Sequence, residues 1–158
     1  MIENYLQVLE ESLHKKMGVL DGIEEANRRQ EEILKQEPVS EDAFDGTIEE
    51  KGALIEELNK LDEGFESLYE NIREQLSADR EKYKAQIAAI QKLIALVTEK
   101  SVSIQAQEAR NKVLAESFFA SRKQELQKGR RSSKAAMDYY RNMSQSQVIM
   151  PQFMDRKK

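Results

Sequence analysis

Apolar side chains recur every three to four residues along the first half of the chain, in two runs separated by Pro38. This spacing is typical of amphipathic helices that pack through a narrow coiled-coil seam. The first run predicts a helix from about Ile2 to Gln36. Its polar seam residues Asn27 and Gln30 predict looser packing toward the far end. The seam positions are Ile2, Leu6, Leu9, Leu13, Lys16, Leu20, Ile23, Asn27, Gln30 and Leu34.

Pro38 ends this helix, because proline lacks an N–H group and disfavours a helical residue before it. Ser40 offers a hydroxyl cap for a second helix, and Glu41 and Asp42 place negative charge at its positive end. The short connection makes the two helices antiparallel. The second seam comprises Phe44, Ile48, Lys51, Ile55, Leu58, Asp62, Phe65, Tyr69, Ile72 and Leu76.

A third helix is predicted from about Ala78 to Lys128, with Gly129 as its C-cap. A tight turn near residues 77–79 precedes it; one unbroken helix through this stretch is the alternative. The apolar stripe slips at Ser101, which predicts a local change in winding. The stripe reads Tyr83, Ile87, Ile90, Ile94 and Val97 before the slip, and Val102, Ala106, Ala109 and Val113 after it.

These patterns predict an all-α fold: an elongated antiparallel helical hairpin or three-helix coiled-coil bundle, with a long third helix and a short C-terminal helical tail. Residues 1–128 form the coiled-coil domain and residues 129–158 a basic, methionine-rich tail. At 1.5 Å per residue the third helix spans roughly 75 Å and the first two roughly 50 Å each. The third helix is therefore expected to project past the hairpin from about Val113, or to bend back.

Composition excludes several kinds of site. The 158 residues include no cysteine and one histidine, His14, so disulfides, cysteine nucleophiles and paired-histidine metal sites are excluded. No phosphate-cradling glycine loop is present. We therefore expect no enzymatic activity, cofactor or metal. No run is apolar enough to cross a membrane, and no signal peptide is recognisable, so a cytoplasmic protein is expected.

Charge is distributed unevenly along the chain. The net charge is −13 over residues 1–76, +4 over 77–128 and +5 over 129–158. Acidic helices beside a basic one reduce each other's self-repulsion. The tail pairs basic residues with Tyr139 and Tyr140, but it matches no known nucleic-acid motif, so nucleic-acid binding is not expected.

The projecting part of the third helix carries large apolar side chains, which call for a partner. The tail adds flexible methionines, which suit adaptable surfaces. The candidate partner-binding residues are Val113, Leu114, Phe118, Phe119, Leu126, Tyr139, Tyr140 and Met143. A tail helix that packs back on the body is the competing interpretation.

Two stretches resemble FlgN-type flagellar export chaperones. Residues 47–58 (TIEEKGALIEEL), followed by Leu61 and Asp62, are similar to the second helix of that family. Residues 107–114 (QEARNKVL) are similar to its third-helix region, where an asparagine precedes apolar residues. The tail stretch 132–140 (SSKAAMDYY) has a looser counterpart.

The resemblance implies a cytoplasmic helical protein without enzymatic activity. Such chaperones bind the terminal helices of hook-associated proteins, prevent premature assembly and deliver these clients to the export apparatus. By position, the family's client contacts fall on Val113, Leu114, Phe118 and Phe119, and less closely on Tyr139 and Tyr140. Two alternatives remain open: a chaperone for the filament cap protein, and a structural coiled-coil homo-oligomer. A homodimer is also left open.

Overall fold

The computed structural model describes residues 1–123 and 136–143, which are helical apart from short connections. Three long helices follow one another: α1 (Ile2–Leu34), α2 (Glu41–Ala78) and α3 (Lys84–Lys123). A short helix, α4, covers residues 136–143. The described part of the chain contains no strand. The all-α bundle with a short helix in its tail is therefore confirmed, whereas the domain boundary after residue 128 lies outside the described residues.

The α1–α2 connection follows the predicted chemistry. Ser40 caps α2, and its Oγ accepts a hydrogen bond from the Ala43 amide at 3.2 Å. Glu41 and Asp42 lie in the first turn, where they face the positive end of the helix dipole. These contacts satisfy and stabilise a helix end that otherwise has unpaired amides.

The turn between α2 and α3 is also confirmed. Helix α2 ends at Ala78, and the backbone turns through residues 79–83 before α3 begins at Lys84. The Lys82 amide donates to the Asp79 carbonyl at 3.0 Å within this turn. The alternative of one unbroken helix is excluded.

Helix α1 packs along both α2 and α3, whereas the backbones of α2 and α3 hardly approach each other. Helix α4 lies over the groove between α2 and α3: the side chain of Tyr139 contacts Lys51 of α2 and Glu108 of α3. The structure is thus a three-helix bundle in which the wider groove is covered by a fourth, short helix.

The seams predicted for α1 and α2 form the core. All ten seam residues of α1 are buried, and on α2 only Asp62 is half-buried. The expected loosening at Asn27 and Gln30 is wrong, because these side chains are 1% and 0% exposed. Each is held by hydrogen bonds to side chains of the neighbouring helices.

The predicted slip in α3 is also wrong. Buried positions recur every three to four residues across the expected slip, and several of them are polar: Val97, Ser101, Ile104, Glu108, Asn111 and Ala115. The proposed restart lies on the outer face, where Val102 and Val113 are 60% and 63% exposed. A stripe of apolar residues alone does not show this continuity, because Glu108 and Asn111 are core residues with buried partners.

The far end of α3 does not project freely. Within the described residues α3 has 40 residues and α2 has 38, so their lengths are nearly equal. Near its end, α3 meets the start of α2: Phe119 packs edge-on against Phe44, with ring centroids 5.6 Å apart, and Arg122 pairs with Glu41 at 3.3 Å. The expected overhang from Val113 is therefore wrong up to Lys123.

Candidate functional site

Five polar side chains from three helices meet inside the bundle. We call this group, Asn27 and Gln30 of α1, Lys51 of α2, and Glu108 and Asn111 of α3, the polar layer. Every member is at most 6% exposed. Buried charged and amide groups are costly unless they are hydrogen-bonded, so their pairing decides whether this layer is stable.

Lys51 is the centre of the polar layer. Its Nζ donates to Asn27 Oδ1 at 2.6 Å, to Gln30 Oε1 at 3.0 Å, and to the carboxylate of Glu108 at 3.0 and 3.2 Å. An ammonium group has three protons, and three acceptor side chains surround it. Burial lowers the pKa of Lys51, while the charge of Glu108 acts in the opposite direction.

The amide groups complete the network across the helices. Asn111 Nδ2 donates to the Asn27 carbonyl and to Gln30 Oε1, both at 3.0 Å. Gln30 Nε2 donates to Thr47 Oγ1 at 2.8 Å. Because hydrogen bonds constrain distance and angle, this network specifies how α1, α2 and α3 align along their axes.

Helix α4 adds an aromatic cover. The Tyr139 hydroxyl donates to Glu108 Oε2 at 2.7 Å, and the Tyr139 ring lies 4.4 Å from Lys51 Nζ. Burial raises the pKa of Tyr139, and the nearby Glu108 carboxylate raises it further. The phenol therefore stays protonated and acts as a hydrogen-bond donor. Tyr139, Tyr140 and Met143 are each 6% exposed.

A second buried ion pair lies between the two ends of the bundle. Lys16 Nζ is 2.7 Å from Asp62 Oδ1, and the Lys16 side chain is 2% exposed. Burial lowers the pKa of Lys16 and raises that of Asp62. This pair joins α1 to α2, whereas the polar layer joins three helices and α4.

The structure divides the predicted site residues into two groups. On α3, Val113 is exposed, and Leu114, Phe118 and Phe119 are half-buried. Phe118 and Phe119 are in contact, with ring centroids 5.1 Å apart, and Arg122 covers the Phe118 ring at 5.4 Å. Leu126 lies outside the described residues. The second group, Tyr139, Tyr140 and Met143, is buried against the bundle, as the competing interpretation of the tail expected.

Sequence reasoning missed the polar layer itself. A signal was present, because Asn27, Gln30 and Lys51 occupy seam positions, as do Glu108 and Asn111 when the α3 spacing is continued unchanged. Polar residues at the seams of three helices are expected to face one another, and acids opposite bases or amides can pair. In this arrangement Lys51 is enclosed and fully hydrogen-bonded, which suits alignment of helices and recognition of a docked side chain.

Comparison of the chain with protein-family models, curated proteins and solved structures finds no match in any of the three. Within the described helices, none has a stretch long and apolar enough to span a membrane. The same residues hold no group of three or more histidine, aspartate or glutamate side chains placed to bind a metal ion.

Proposed function

We propose that this protein is an export chaperone of the FlgN type. In this proposal it acts in the cytoplasm, binds the amphipathic terminal helices of hook-associated proteins, keeps them from assembling early and delivers them to the export apparatus. The proposal rests on the resemblance in residues 47–58 and 107–114 together with the way the bundle holds a short helix.

The observation that carries the proposal is the seat of α4. A helix of two turns lies over the α2–α3 groove and buries Tyr139, Tyr140 and Met143. Helix-in-groove recognition uses apolar anchors spaced by one turn on one helix face, and Tyr139 and Met143 have that spacing. A bundle that receives its own amphipathic helix in this way has the surface that a client helix requires.

A second contact region lies on the last turns of α3. Val113 is 63% exposed, and Leu114 and Phe118 are half-buried beside it along the helix. Exposed apolar side chains of this kind contribute to binding when a partner excludes water from them. In the proposal, one segment of the client occupies the groove and another contacts this region.

The test uses a fluorescent peptide that spans a terminal helix of a hook-associated protein, titrated with the full-length chaperone. Val113→Glu places a charge in the proposed contact region and is expected to weaken binding at least tenfold, about 1.4 kcal/mol. Val102→Glu is the matched control, because Val102 lies on the same helix and is 60% exposed. Circular dichroism checks that both variants melt as the wild type does.

Equal affinity of the two variants would contradict this placement of the client. If the protein binds no hook-associated helix but binds a peptide of the filament cap protein, the result would support the alternative of a chaperone for the cap protein.

A structural homo-oligomer is a second candidate, favoured by one observation. Val102, Ala106, Ala109 and Val113 form an exposed apolar stripe on the outer face of α3. Light scattering tests this candidate: a stable oligomer that Val102→Glu dissociates, and that client peptide leaves intact, would support it. A monomer, or a weak dimer that client peptide dissociates, supports the chaperone.

A further inference from the structure

The floor of the α4 groove is polar, although the helix that covers it docks mainly through apolar surface. The buried Glu108 carboxylate accepts hydrogen bonds from Lys51 and from the Tyr139 hydroxyl. Residues of α1, α2 and α3 supply the polar layer, and α4 supplies a hydroxyl and a ring. The groove therefore presents a defined acceptor, Glu108 Oε2, to whatever helix lies over it.

Two adjacent tyrosines show how specific this contact is. Tyr139 and Tyr140 are equally buried at 6% exposure. The Tyr139 hydroxyl bonds to Glu108 at 2.7 Å, whereas the Tyr140 hydroxyl has no hydrogen-bond partner among the described residues. Thus Tyr140 contributes its ring, while Tyr139 contributes both its ring and a hydrogen bond to a buried charge.

We infer that the polar layer makes this groove selective for an amphipathic helix that carries a tyrosine facing Glu108. The inference rests on the proposed function in one respect: the partner is a client helix that takes the place of α4. Such a helix then supplies its own phenol to Glu108, with the phenol ring over Lys51.

The chemistry of the floor disfavours a charged side chain or a phenylalanine at this position. A carboxylate there would face the Glu108 carboxylate at short range, and an ammonium group would face Lys51, so either adds a like charge in a buried place. A phenylalanine retains the ring over Lys51 but leaves Glu108 Oε2 without its hydroxyl donor. A tyrosine meets both requirements because it is neutral, planar and a donor.

The first experiment compares two variants of the full chain, Tyr139→Phe and Tyr140→Phe. Each removes one hydroxyl and keeps the ring, so each is the control for the other. Hydrogen exchange measured by mass spectrometry reports the opening of residues 136–143. We expect Tyr139→Phe to accelerate exchange in α4 at least tenfold, and Tyr140→Phe to leave it at the wild-type rate. Equal rates in the two variants would overturn the inference.

The second experiment supplies the helix from outside. The probe is a labelled peptide of residues 132–147 of this chain, and the receptor is the full chain with Tyr139→Ala and Tyr140→Ala, which removes the anchors of its own α4. Peptides with the native sequence and with Tyr140→Phe are expected to bind equally, and the peptide with Tyr139→Phe at least tenfold more weakly. Equal binding of all three peptides would overturn the inference.

Neither experiment contains a flagellar protein, so the two proposals fail separately. If the groove prefers tyrosine but the protein binds no hook-associated helix, the proposed function is contradicted and the selectivity of the groove is supported. If the protein binds hook-associated helices but Tyr139→Phe and Tyr140→Phe have equal effects on exchange and on peptide binding, the proposed function is supported and the selectivity of the groove is contradicted.

Discussion

The two ends of the bundle have cores of different chemistry. The apolar half, at the start of α1, the end of α2 and the start of α3, is built from Ile2, Leu6, Leu9, Leu13, Phe65, Tyr69, Ile72, Leu76, Tyr83, Ile87 and Ile90. The polar half, at the opposite end, also has buried apolar residues, but the polar layer crosses it and α4 covers it. The ion pair of Lys16 with Asp62 lies between the two halves.

The difference separates stability from specificity. Apolar burial is non-directional, so the apolar half stabilises the bundle without requiring one alignment of its helices. A buried ion pair gains little net free energy over an apolar replacement, yet it strongly disfavours any alignment that leaves one charge unpaired. The polar half therefore fixes the alignment of the helices and the identity of the helix that docks there.

The largest expected effect comes from removing one partner of the buried charge pair. Glu108→Leu leaves the Lys51 ammonium, 0% exposed, without a counter-charge. Loss of one partner in such a pair costs about 3–5 kcal/mol. Urea unfolding followed by circular dichroism measures this loss. The double variant Lys51→Met/Glu108→Leu removes both charges and should recover most of the lost free energy of unfolding. A double variant that is as unstable as Glu108→Leu would show instead that the ion pair itself stabilises the polar half.

In the apolar half the expected cost comes from a cavity. Phe65 is 2% exposed, and Phe65→Ala removes most of its side chain from the core. Such substitutions cost about 3–5 kcal/mol, and we expect the lower end because a long, thin bundle relaxes around the cavity. The same urea titration measures it. A loss below about 0.5 kcal/mol would mean that this half does not stabilise the bundle as described, since that is the size of an ordinary surface effect.

Alkaline pH should weaken the polar half through its tyrosines. Burial raises the pKa of Tyr139 and of Tyr140 above the usual 10.0. Above pH 10 the phenols of the unfolded chain ionise while the folded ones keep their protons. The free energy of unfolding therefore falls as pH rises, by about 1.4 kcal/mol per pH unit for each tyrosine.

Comparison of the wild type with Tyr139→Phe isolates one tyrosine's share of this slope. The comparison is needed because the lowered pKa of Lys51 makes stability rise with pH below 10.5, which is the opposite sign. Urea titrations between pH 9 and about 11.5 cover the range in which a phenol with an ordinary pKa ionises. Identical slopes in the two proteins would contradict the burial of Tyr139.

The smallest expected effects are gains at two glycines of α2. Gly52 follows Lys51 in the polar half and Gly64 precedes Phe65 in the apolar half, and a Cβ added to either meets no atom within 4 Å. Alanine at each should raise stability by about 0.5–1 kcal/mol, because it favours helix more than glycine does.

Gly22→Ala is the matched case with a close neighbour, since its added Cβ would lie 3.3 Å from Leu54 Cδ1. Its gain should be smaller than that at Gly52 or Gly64 in the same thermal melts. If Gly52→Ala stabilises the fold but slows the binding of client peptide, then flexibility of the polar half takes part in function.

Much of the fold could be predicted from spacing alone. Ser40 as the cap of α2, the end of α1 before Pro38, and the seams of α1 and α2 all follow from local rules and are present in the structure. These features depend on residues close to one another in the chain, so the physics that determines them is visible in a short window of sequence.

The site could not be predicted in the same way, because it depends on pairing between distant residues. Glu108 belongs to the core only because Lys51 lies opposite it, and neither residue indicates this alone. The expected projection of α3 follows from its predicted length, which does not show that Phe119 packs against Phe44 at the start of α2. The place of α4 likewise required knowledge of the width of the α2–α3 groove.

The distance in sequence between Lys51 and Glu108 has a consequence for the order of folding. Helices α1 and α2 are joined by a connection of six residues, so their hairpin closes a small loop and can form early. Lys51, however, leaves the ribosome 57 residues before its carboxylate partner. Until α3 arrives, the Lys51 ammonium has the Asn27 and Gln30 acceptors of α1 but lacks its counter-charge, Glu108. The hairpin can therefore form before α3 is synthesised, whereas the polar layer is completed only when α3 brings Glu108 to Lys51.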